Sequence, residues 1–237
     1  MPVFEKVLSA LLLFLLLSTQ CCFSQNLNLS TRFLTGKYNY HNNPAFVRVP
    51  DRFTQNEVYL RKETYKAFLK MQKAASKAGV QLSIISGTRS FYDQKEKWEM
   101  KWWARDFSHI KDPKQRAVKL LRWWSMPGTS RHHWGTDVDL NSMRLRYYRS
   151  AKGVKVYNWL VKNAPTFGFY QPFNANRPTG YQEEKWHWSY VPLSRTYLQQ
   201  YLAKVNYKDI SGFQGCEAAE NIGVVTNWVA SVNKSCK

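Results

Sequence analysis

The chain has 237 residues, of which 44% are hydrophobic and 16% aromatic. This composition supplies apolar surface for one hydrophobic core and leaves little room for a second, so we expect one domain with appendages. The formal net charge is +19, from 35 Lys and Arg against 16 Asp and Glu. Such a charge favours polyanionic partners, usually nucleic acid, although a solvated basic surface without a partner is an equal alternative.

The first residues are typical of an export signal. Lys6 supplies a positive charge, residues 7–17 are almost wholly apolar, and residues 18–24 are small and polar. The apolar run is too short to span a bilayer comfortably, so we predict a signal peptide over residues 1–24. A retained anchor is the alternative, because Cys21 or Cys22 would be a site for lipid attachment. Export makes cell-wall polymers and lipid head groups the expected polyanions.

Removal of the signal peptide would leave Cys216 and Cys236 as the only cysteines. Two cysteines near one end of an exported chain favour a disulfide, which would staple the tail over residues 206–237. A pair of free thiols is the alternative. Metal binding is not expected here, because no further cysteine or nearby histidine completes a ligand set.

Apolar residues at spacings of three and four predict a helix over residues 57–78, which Gly79 ends. The next apolar run, residues 80–85, predicts a strand. Thr88 and Arg89 follow shortly after it. They therefore lie on a loop just past a buried strand, where functional side chains are common.

Two further helices are predicted over residues 92–105 and 114–124, and both are rich in tryptophan. We expect these side chains to pack the helices onto the core, and a substrate groove is the alternative. They are Trp98, Trp102, Trp103, Trp123 and Trp124. Short strands over 136–140 and 186–191 flank a helix over 154–162. Few short strands among helices predict an α+β fold, with a small antiparallel sheet flanked by helices, and not a doubly wound parallel sheet.

Three of the five histidines lie in two short segments that also contain carboxylates, residues 130–139 and 184–188. A catalytic zinc ion takes three protein ligands, through nitrogen or carboxylate oxygen, and keeps a fourth position for water. His132, Asp139 and His187 meet this requirement, so we predict that they bind one zinc ion.

The spacing of these residues predicts how the chain bends. His132 and Asp139 are seven residues apart, an odd number that would put them on opposite faces of one strand. The chain must therefore turn between them, and Gly135 can supply the turn. Glu184 and His187 are three apart, so Glu184 must lie on the loop before the strand that carries His187.

The first of these segments resembles a known signature. It reproduces the Ser-x-His-x-x-Gly-x-x-x-Asp pattern of the LAS-type zinc peptidases, which include lysostaphin-type endopeptidases, D-Ala-D-Ala peptidases and the Hedgehog signalling domain. The matching residues are Ser130, His132, Gly135 and Asp139. Residues 184–187 are similar to the Glu-x-x-His element of this group, and residues 86–90 resemble the Ser-Gly-Tyr-Arg-Ser segment of VanY-like carboxypeptidases. The resemblance covers about residues 57–201 and implies the LAS/Hedgehog-like zinc peptidase fold.

The resemblance implies zinc held by His132, Asp139 and His187, with Glu184 as the catalytic base. Zinc can lower the pKa of a bound water to about 7, so that Glu184 can take its proton at neutral pH and later give it to the departing amine.

The same resemblance implies that Arg89 stabilises developing charge or binds the substrate carboxylate, and that Gln94 and Ser130 help to hold the substrate. Two residues depart from the family pattern, which often has alanine at Asp137 and tyrosine at Thr88. Asp137 either supports the ligands, changes substrate preference or is simply solvated.

His133 follows a ligand directly and points elsewhere, so a surface or groove contact is expected for its side chain.

Together these features predict an exported, monomeric zinc peptidase of the bacterial periplasm or cell envelope. It would act on peptidoglycan stem peptides, most simply as a D-alanyl-D-alanine carboxypeptidase. Beyond the signal, the predicted parts are an N-terminal extension (25–56), a zinc peptidase domain (57–205) and a tail (206–237). A zinc-containing cell-wall binding module without hydrolysis is the alternative, but such a binder needs no base like Glu184. A nucleic-acid binder would leave the signal and the metal cluster unexplained, so no nucleic-acid partner is expected.

Overall fold

A computed structural model describes residues 28–237, and the predicted signal peptide, with Cys21 and Cys22, lies outside the described residues. The helices are α1 (Thr31–Leu34), α2 (Lys62–Lys77), α3 (Phe91–Trp102), α4 (Arg105–Ser108), α5 (Pro113–Leu120), α6 (Ala151–Asn163), α7 (Val191–Lys204) and α8 (Ala218–Asn221). The strands are β1 (Phe46–Arg48), β2 (Tyr59–Arg61), β3 (Ile84–Ser86), β4 (Asp137–Leu140), β5 (Phe169–Tyr170) and β6 (His187–Tyr190). Within the range 28–237, no helix has both the length and the apolar character that a membrane span requires.

A four-stranded antiparallel sheet, in the order β3-β4-β6-β5, forms the centre of the fold. Strand β4 pairs with β6 so that Asp139 lies opposite His187. On its other side β4 pairs with β3, where Ser86 lies opposite Asp139. Because side chains alternate along a strand, Asp137 and Asp139 share one face of the sheet, and Val138 lies on the other.

Helices α2 and α6 cover the apolar face of the sheet. Val138 and Trp188 of the sheet belong to one buried cluster with Phe68 of α2 and Leu160 of α6. As predicted, the chain leaves α2 at Gly79, whose φ of +65° is a conformation that glycine adopts without steric cost. The sheet is therefore apolar on the side of these helices and polar on the side of the two aspartates.

A second buried cluster contains both ends of the described chain. Leu34 of α1 and Val232 near the C-terminus pack there with Trp98 and Tyr201. The indole Nε1 of Trp134 donates a hydrogen bond to the carbonyl oxygen of Leu34 at 3.0 Å. The segments predicted as an extension and a tail thus contribute to the core, and the domain boundaries themselves stay a prediction.

The α+β architecture with a small antiparallel sheet confirms the predicted fold class. Two elements begin well after the predicted residue: α2 starts at Lys62 and not at Glu57, and β3 starts at Ile84 and not at Val80. The residues before Lys62 form β2, which pairs antiparallel with β1 in a separate two-stranded sheet. The partner strand β1 lies more than ten residues upstream. Helical periodicity within residues 57–78 cannot indicate a pairing with that segment.

The structure corrects the predicted disulfide: Cys216 and Cys236, both within the described residues, are free thiols. Cys236 is buried, and burial raises the pKa of its thiol to about 11, so it stays protonated at neutral pH. The tail is held by apolar packing and by Asn233, whose backbone N–H donates to the carbonyl oxygen of Pro172 at 2.8 Å. A disulfide is not needed to fix it.

Replacing Leu34 by alanine tests whether the N-terminal segment belongs to the core. Leu34 is fully buried, so Leu34→Ala should lower the free energy of unfolding by about 2–5 kcal/mol. Leu202→Ala is the matched control, because Leu202 is 44% exposed and should change stability by about 0.5 kcal/mol or less. Urea titration measures both variants. If Leu34→Ala loses as little stability as the control, α1 is not part of the cooperative fold.

Candidate metal centre

The polar face of the sheet gathers residues from three segments. Asp139 on β4 lies opposite His187 on β6, and directly opposed residues of antiparallel strands have Cβ atoms about 4.5–5.5 Å apart. His132 comes from the 3-10 turn Arg131–Trp134, just before β4. One ligand atom from each of these three side chains lies within 4.8 Å of the others, and all three residues are buried.

Gly135 makes the turn between His132 and Asp139 that the odd spacing requires. Its φ is +71°, and a Cβ built there would lie 2.4 Å from Cε1 of Phe46. The backbone N–H of Arg61 donates to the carbonyl oxygen of Gly135 at 3.0 Å, which ties the turn to β2. Both the backbone conformation and the close packing demand glycine.

A backbone hydrogen bond fixes the ring of His132. Its Nδ1 lies 2.7 Å from the carbonyl oxygen of Gly87, and because a carbonyl can only accept, Nδ1 carries the proton. Burial, followed by the charge of Arg89, lowers the pKa of His132 to about 4. The ring is therefore neutral at physiological pH, and Nε2, which lies 3.4 Å from Oδ2 of Asp139, keeps its lone pair.

His187 is oriented the other way round. Its Nε2 lies 3.0 Å from Oδ1 of Asp137, while its Nδ1 lies 3.2 Å from Oε2 of Glu184 and 3.5 Å from Oδ1 of Asp139. Burial lowers the pKa of His187, but the hydrogen bonds with Asp137 and Glu184 outweigh burial and raise the pKa to about 9. A metal ion must therefore displace the proton on Nδ1 when it binds.

Asp139 supplies the third donor, and one of its oxygens lacks a hydrogen bond. Oδ1 is buried and has no hydrogen-bond partner, whereas buried polar atoms are nearly always paired. A cation between the two imidazoles would satisfy this oxygen. Two nitrogens and one carboxylate oxygen match the donor set of a catalytic zinc site. The residues present therefore fit a zinc ion.

Glu184 lies on the loop before β6, where its spacing from His187 placed it. The loop is anchored because the backbone N–H of Glu184 donates to the carbonyl oxygen of Phe173 at 2.9 Å, and Nε2 of Gln171 donates to the carbonyl oxygen of Glu184 at 3.1 Å. Burial raises the pKa of the Glu184 carboxyl, although its hydrogen bond to His187 opposes this shift. A raised pKa suits a group that takes up and returns a proton near neutral pH.

Arg89 reaches the same site from the loop after β3. Its Nε donates to Oε1 of Gln94 at 3.0 Å, its Nη1 donates to Oγ of Ser86 at 2.8 Å, and Nη1 lies 3.8 Å from Oδ2 of Asp139. Gln94 in turn donates to the carbonyl oxygen of Ser125 at 2.7 Å. Gln94 thus orients Arg89, and a direct contact of Gln94 with substrate stays a prediction.

Ser130 and His133 stabilise the turn that carries His132. Oγ of Ser130 accepts a hydrogen bond from the backbone N–H of His132 at 3.3 Å, and its predicted contact with substrate stays a prediction. His133 corrects the expectation of a surface or groove contact, because it is completely buried. Its Nδ1 lies 2.8 Å from the carbonyl oxygen of Arg89, and its Nε2 accepts from the N–H of Gly128 at 3.0 Å. His133 therefore joins two loops of the site.

The cluster opens into a cavity of about 1040 Å³. Trp123 lies on its wall, stacked on Trp186 with ring centroids 6.1 Å apart. Trp98 and Trp102 are buried in the core instead. Trp98 and Trp102 thus confirm the expected packing and Trp123 lies on the cavity wall, which was the alternative, whereas Trp103 is exposed and does neither.

Other cavity residues were missed by the sequence analysis. The ring of Phe173 lies 4.8 Å from the ring of His187, and Tyr181 packs against Phe173 at 4.7 Å. Asn56 and Met143 line other parts of the wall. These residues come from separate segments and belong to no motif, so only the folded chain brings them together.

Comparison with known proteins gives four matches of note. A sequence profile of the VanY family, described as D-alanyl-D-alanine carboxypeptidase, matches residues 57–193. The D-alanyl-D-alanine carboxypeptidase of Enterococcus faecalis is 31% identical over 125 residues, which are 51% of this chain and 44% of that relative. The solved structure of VanYB in complex with D-alanine-D-alanine matches with a TM-score of 0.53 at 23% identity, covering 70% of this chain and 87% of the other. The LD-carboxypeptidase LdcB matches with a TM-score of 0.53 at 24% identity, covering 78% and 80%.

The α+β fold is shared with these two solved structures, and the polar face of its sheet carries the buried cluster of His132, Asp139 and His187. Since the profile matches more than half of its residues, the chain belongs to the VanY family of D-alanyl-D-alanine carboxypeptidases. This finding confirms the resemblance drawn from the sequence. The two solved structures support the fold, and the chain spans less than half the length of the E. faecalis relative.

Replacing Gly135 by alanine tests the turn on which the site depends. Gly212→Ala is the matched control, because Gly212 also has positive φ, at +89°, but a Cβ there meets nothing within 4 Å. The control should lose only the backbone cost of about 1–2 kcal/mol. Gly135→Ala should lose clearly more, because of its clash with Phe46. Denaturant titration compares the free energies of unfolding, and equal losses would refute the packing constraint.

Proposed function

We propose that this protein is a zinc-dependent D-alanyl-D-alanine carboxypeptidase that hydrolyses the stem peptides of peptidoglycan. One observation carries the proposal: His132, Asp139 and His187 present donor atoms within 4.8 Å of one another, and the Glu184 carboxylate lies 3.2 Å from His187. Three ligands and an adjacent base are the minimum for hydrolysis by a zinc peptidase. Membership of the VanY family supports the choice of substrate.

In this proposal the site holds one zinc ion through His132, Asp139 and His187. When bound, the ion would supply a Lewis acid that polarises the scissile carbonyl and acidifies a water. Glu184 accepts the proton of the attacking water and returns it to the departing amine. The burial that raises the pKa of Glu184 favours the uptake of this proton.

Arg89, whose guanidinium lies 3.8 Å from Asp139, acts on the substrate. A carboxypeptidase must recognise a terminal carboxylate, and a guanidinium can bind one through paired hydrogen bonds. The same charge can offset the negative charge that develops on the carbonyl oxygen. Both roles need a cation at a fixed position, which the hydrogen bonds to Gln94 and Ser86 provide.

A zinc-containing binding module without hydrolysis is the second candidate. Glu184 argues against it, because a binder has no need of a buried carboxylate within hydrogen-bond distance of a ligand. We further propose export as a monomer to the bacterial periplasm or cell envelope. The charge and apolar pattern of residues 1–24 supports export, and the net charge of +19 suits an anionic surface there.

Elemental analysis tests the ligand assignment. The purified protein should contain one zinc ion per chain, and His187→Ala should lose most of it because only two ligands remain. His109→Ala is the control, since His109 is exposed on a distant helix end and should keep the full zinc content. A folded His187→Ala protein with stoichiometric zinc would show that the ligands are wrongly assigned.

Glu184→Gln separates an enzyme from a zinc-dependent binder. Glutamine keeps the size of the side chain but cannot accept a proton, so zinc content should be retained while turnover of a pentapeptide stem falls by about a hundred- to ten-thousand-fold. Product release measured by mass spectrometry gives the rate.

Glu183→Gln is the matched control for this experiment. Glu183 is the neighbouring carboxylate, but it lies 3.4 Å from the hydroxyl of Tyr157, away from the three ligands. It should keep nearly the parental rate. If the parent binds zinc and releases no amino acid from any stem peptide, the binding-module candidate replaces the enzyme.

A further inference from the structure

A buried ion pair lies directly behind His187. Nε of Arg131 donates to Oδ1 of Asp137 at 3.1 Å, and the same oxygen lies 3.0 Å from Nε2 of His187. The other oxygen of Asp137 accepts from the hydroxyl of Thr136 at 2.6 Å, so both carboxylate oxygens are engaged. Arg131 and Asp137 are both almost completely buried, and neither lines the cavity.

Further contacts hold Arg131 in place. Its Nη2 donates to Oγ of Ser189 at 2.6 Å, and Ser189 donates to Oγ of Ser194 at 2.8 Å. Its guanidinium lies 4.9 Å from the ring centre of Trp134, at the face of the ring. The orientation of Asp137 is therefore determined by groups on the turn, on β6 and on α7.

Stability alone does not explain this pair. Removing two charges from water is costly, and well-packed apolar residues are often as stabilising as a buried ion pair. The buried pair places Oδ1 of Asp137 at hydrogen-bond distance from Nε2 of His187. This contact indicates that the pair acts on His187.

We propose that Asp137, held by Arg131, is a positioning residue that keeps the proton of His187 on Nε2 and directs the lone pair of Nδ1 toward the metal. The inference rests on the proposed function, in which His187 is a zinc ligand. An aspartate carboxylate accepts hydrogen bonds only, so Nε2 must be the donor in this contact. The alternative tautomer would place the proton on Nδ1, where a metal ligand needs its lone pair.

In both histidines one ring nitrogen donates a hydrogen bond, but the acceptors differ. His132 donates from Nδ1 to the neutral carbonyl of Gly87, whereas His187 donates from Nε2 to a carboxylate. A carboxylate acceptor fixes the ring and makes the imidazole a stronger donor to the metal. Asp137 thus strengthens one ligand of the site without contacting the metal or the substrate.

Zinc affinity, measured by competition with a chelator, tests the inference. Asp137→Ala should weaken zinc binding by about 10- to 100-fold, the usual effect of removing such a partner. The double variant Arg131→Met, Asp137→Ala leaves no unpaired buried charge, and should show a similar loss while it remains folded by circular dichroism. Asp137→Asn should lose less, because its amide oxygen can still accept from Nε2.

Two further variants complete the experiment. Thr64→Ala removes a buried hydroxyl on α2 that has no hydrogen bond to Asp137 or to Arg131, and it should bind zinc as tightly as the parent. If the folded double variant also binds zinc with parental affinity, the ion pair is merely structural and the inference is overturned.

His187→Ala separates this result from a failure of the proposed function. If His187→Ala loses zinc while the Asp137 variants keep it, only the inference on Asp137 is wrong. If His187→Ala keeps zinc, both are wrong.

Discussion

The antiparallel register between β4 and β6 is the constraint on which the rest of the structure depends. It places Asp139 opposite His187 and, two residues earlier, Asp137 opposite Ser189. A slip of one residue would turn every side chain of β4 to the other face, so the two aspartates would meet the apolar helices. The packing of Val138 under α2 and α6 opposes such a slip, because it would expose apolar surface to the polar site.

Burial gives the site its chemical character. In a low-dielectric interior each hydrogen bond is stronger and each unpaired polar atom is more costly. His132, His187, Glu184 and Arg89 follow this rule because all four have hydrogen-bond partners, whereas Oδ1 of Asp139 has none. The unpaired oxygen lies where the donor atoms converge. The same burial explains why the pKa of Glu184 is raised and the pKa of His132 is lowered.

Sequence reasoning succeeded where the relevant contact is local. The turn at Gly135 and the loop position of Glu184 follow from counting residues against the periodicity of a strand. It failed where the contact is distant along the chain. The start of α2 was misplaced because β2 pairs with β1, and His133 was expected at a surface although two loops bury it. The disulfide was expected from compartment and spacing, but Cys216 and Cys236 are free thiols at one apolar cluster.

By itself the sequence determined the α+β class, the family and the three residues whose donor atoms meet, because hydrophobic periodicity and motif spacing are properties of the chain alone. Only the tertiary structure decided how each histidine is held and what surrounds it. The sequence does not decide among three roles for Asp137, because its contacts with His187 and Arg131 depend on strand register and on the turn. The physical reason is that burial and cross-strand hydrogen bonds join residues far apart in the chain, and no spacing within the sequence encodes them directly.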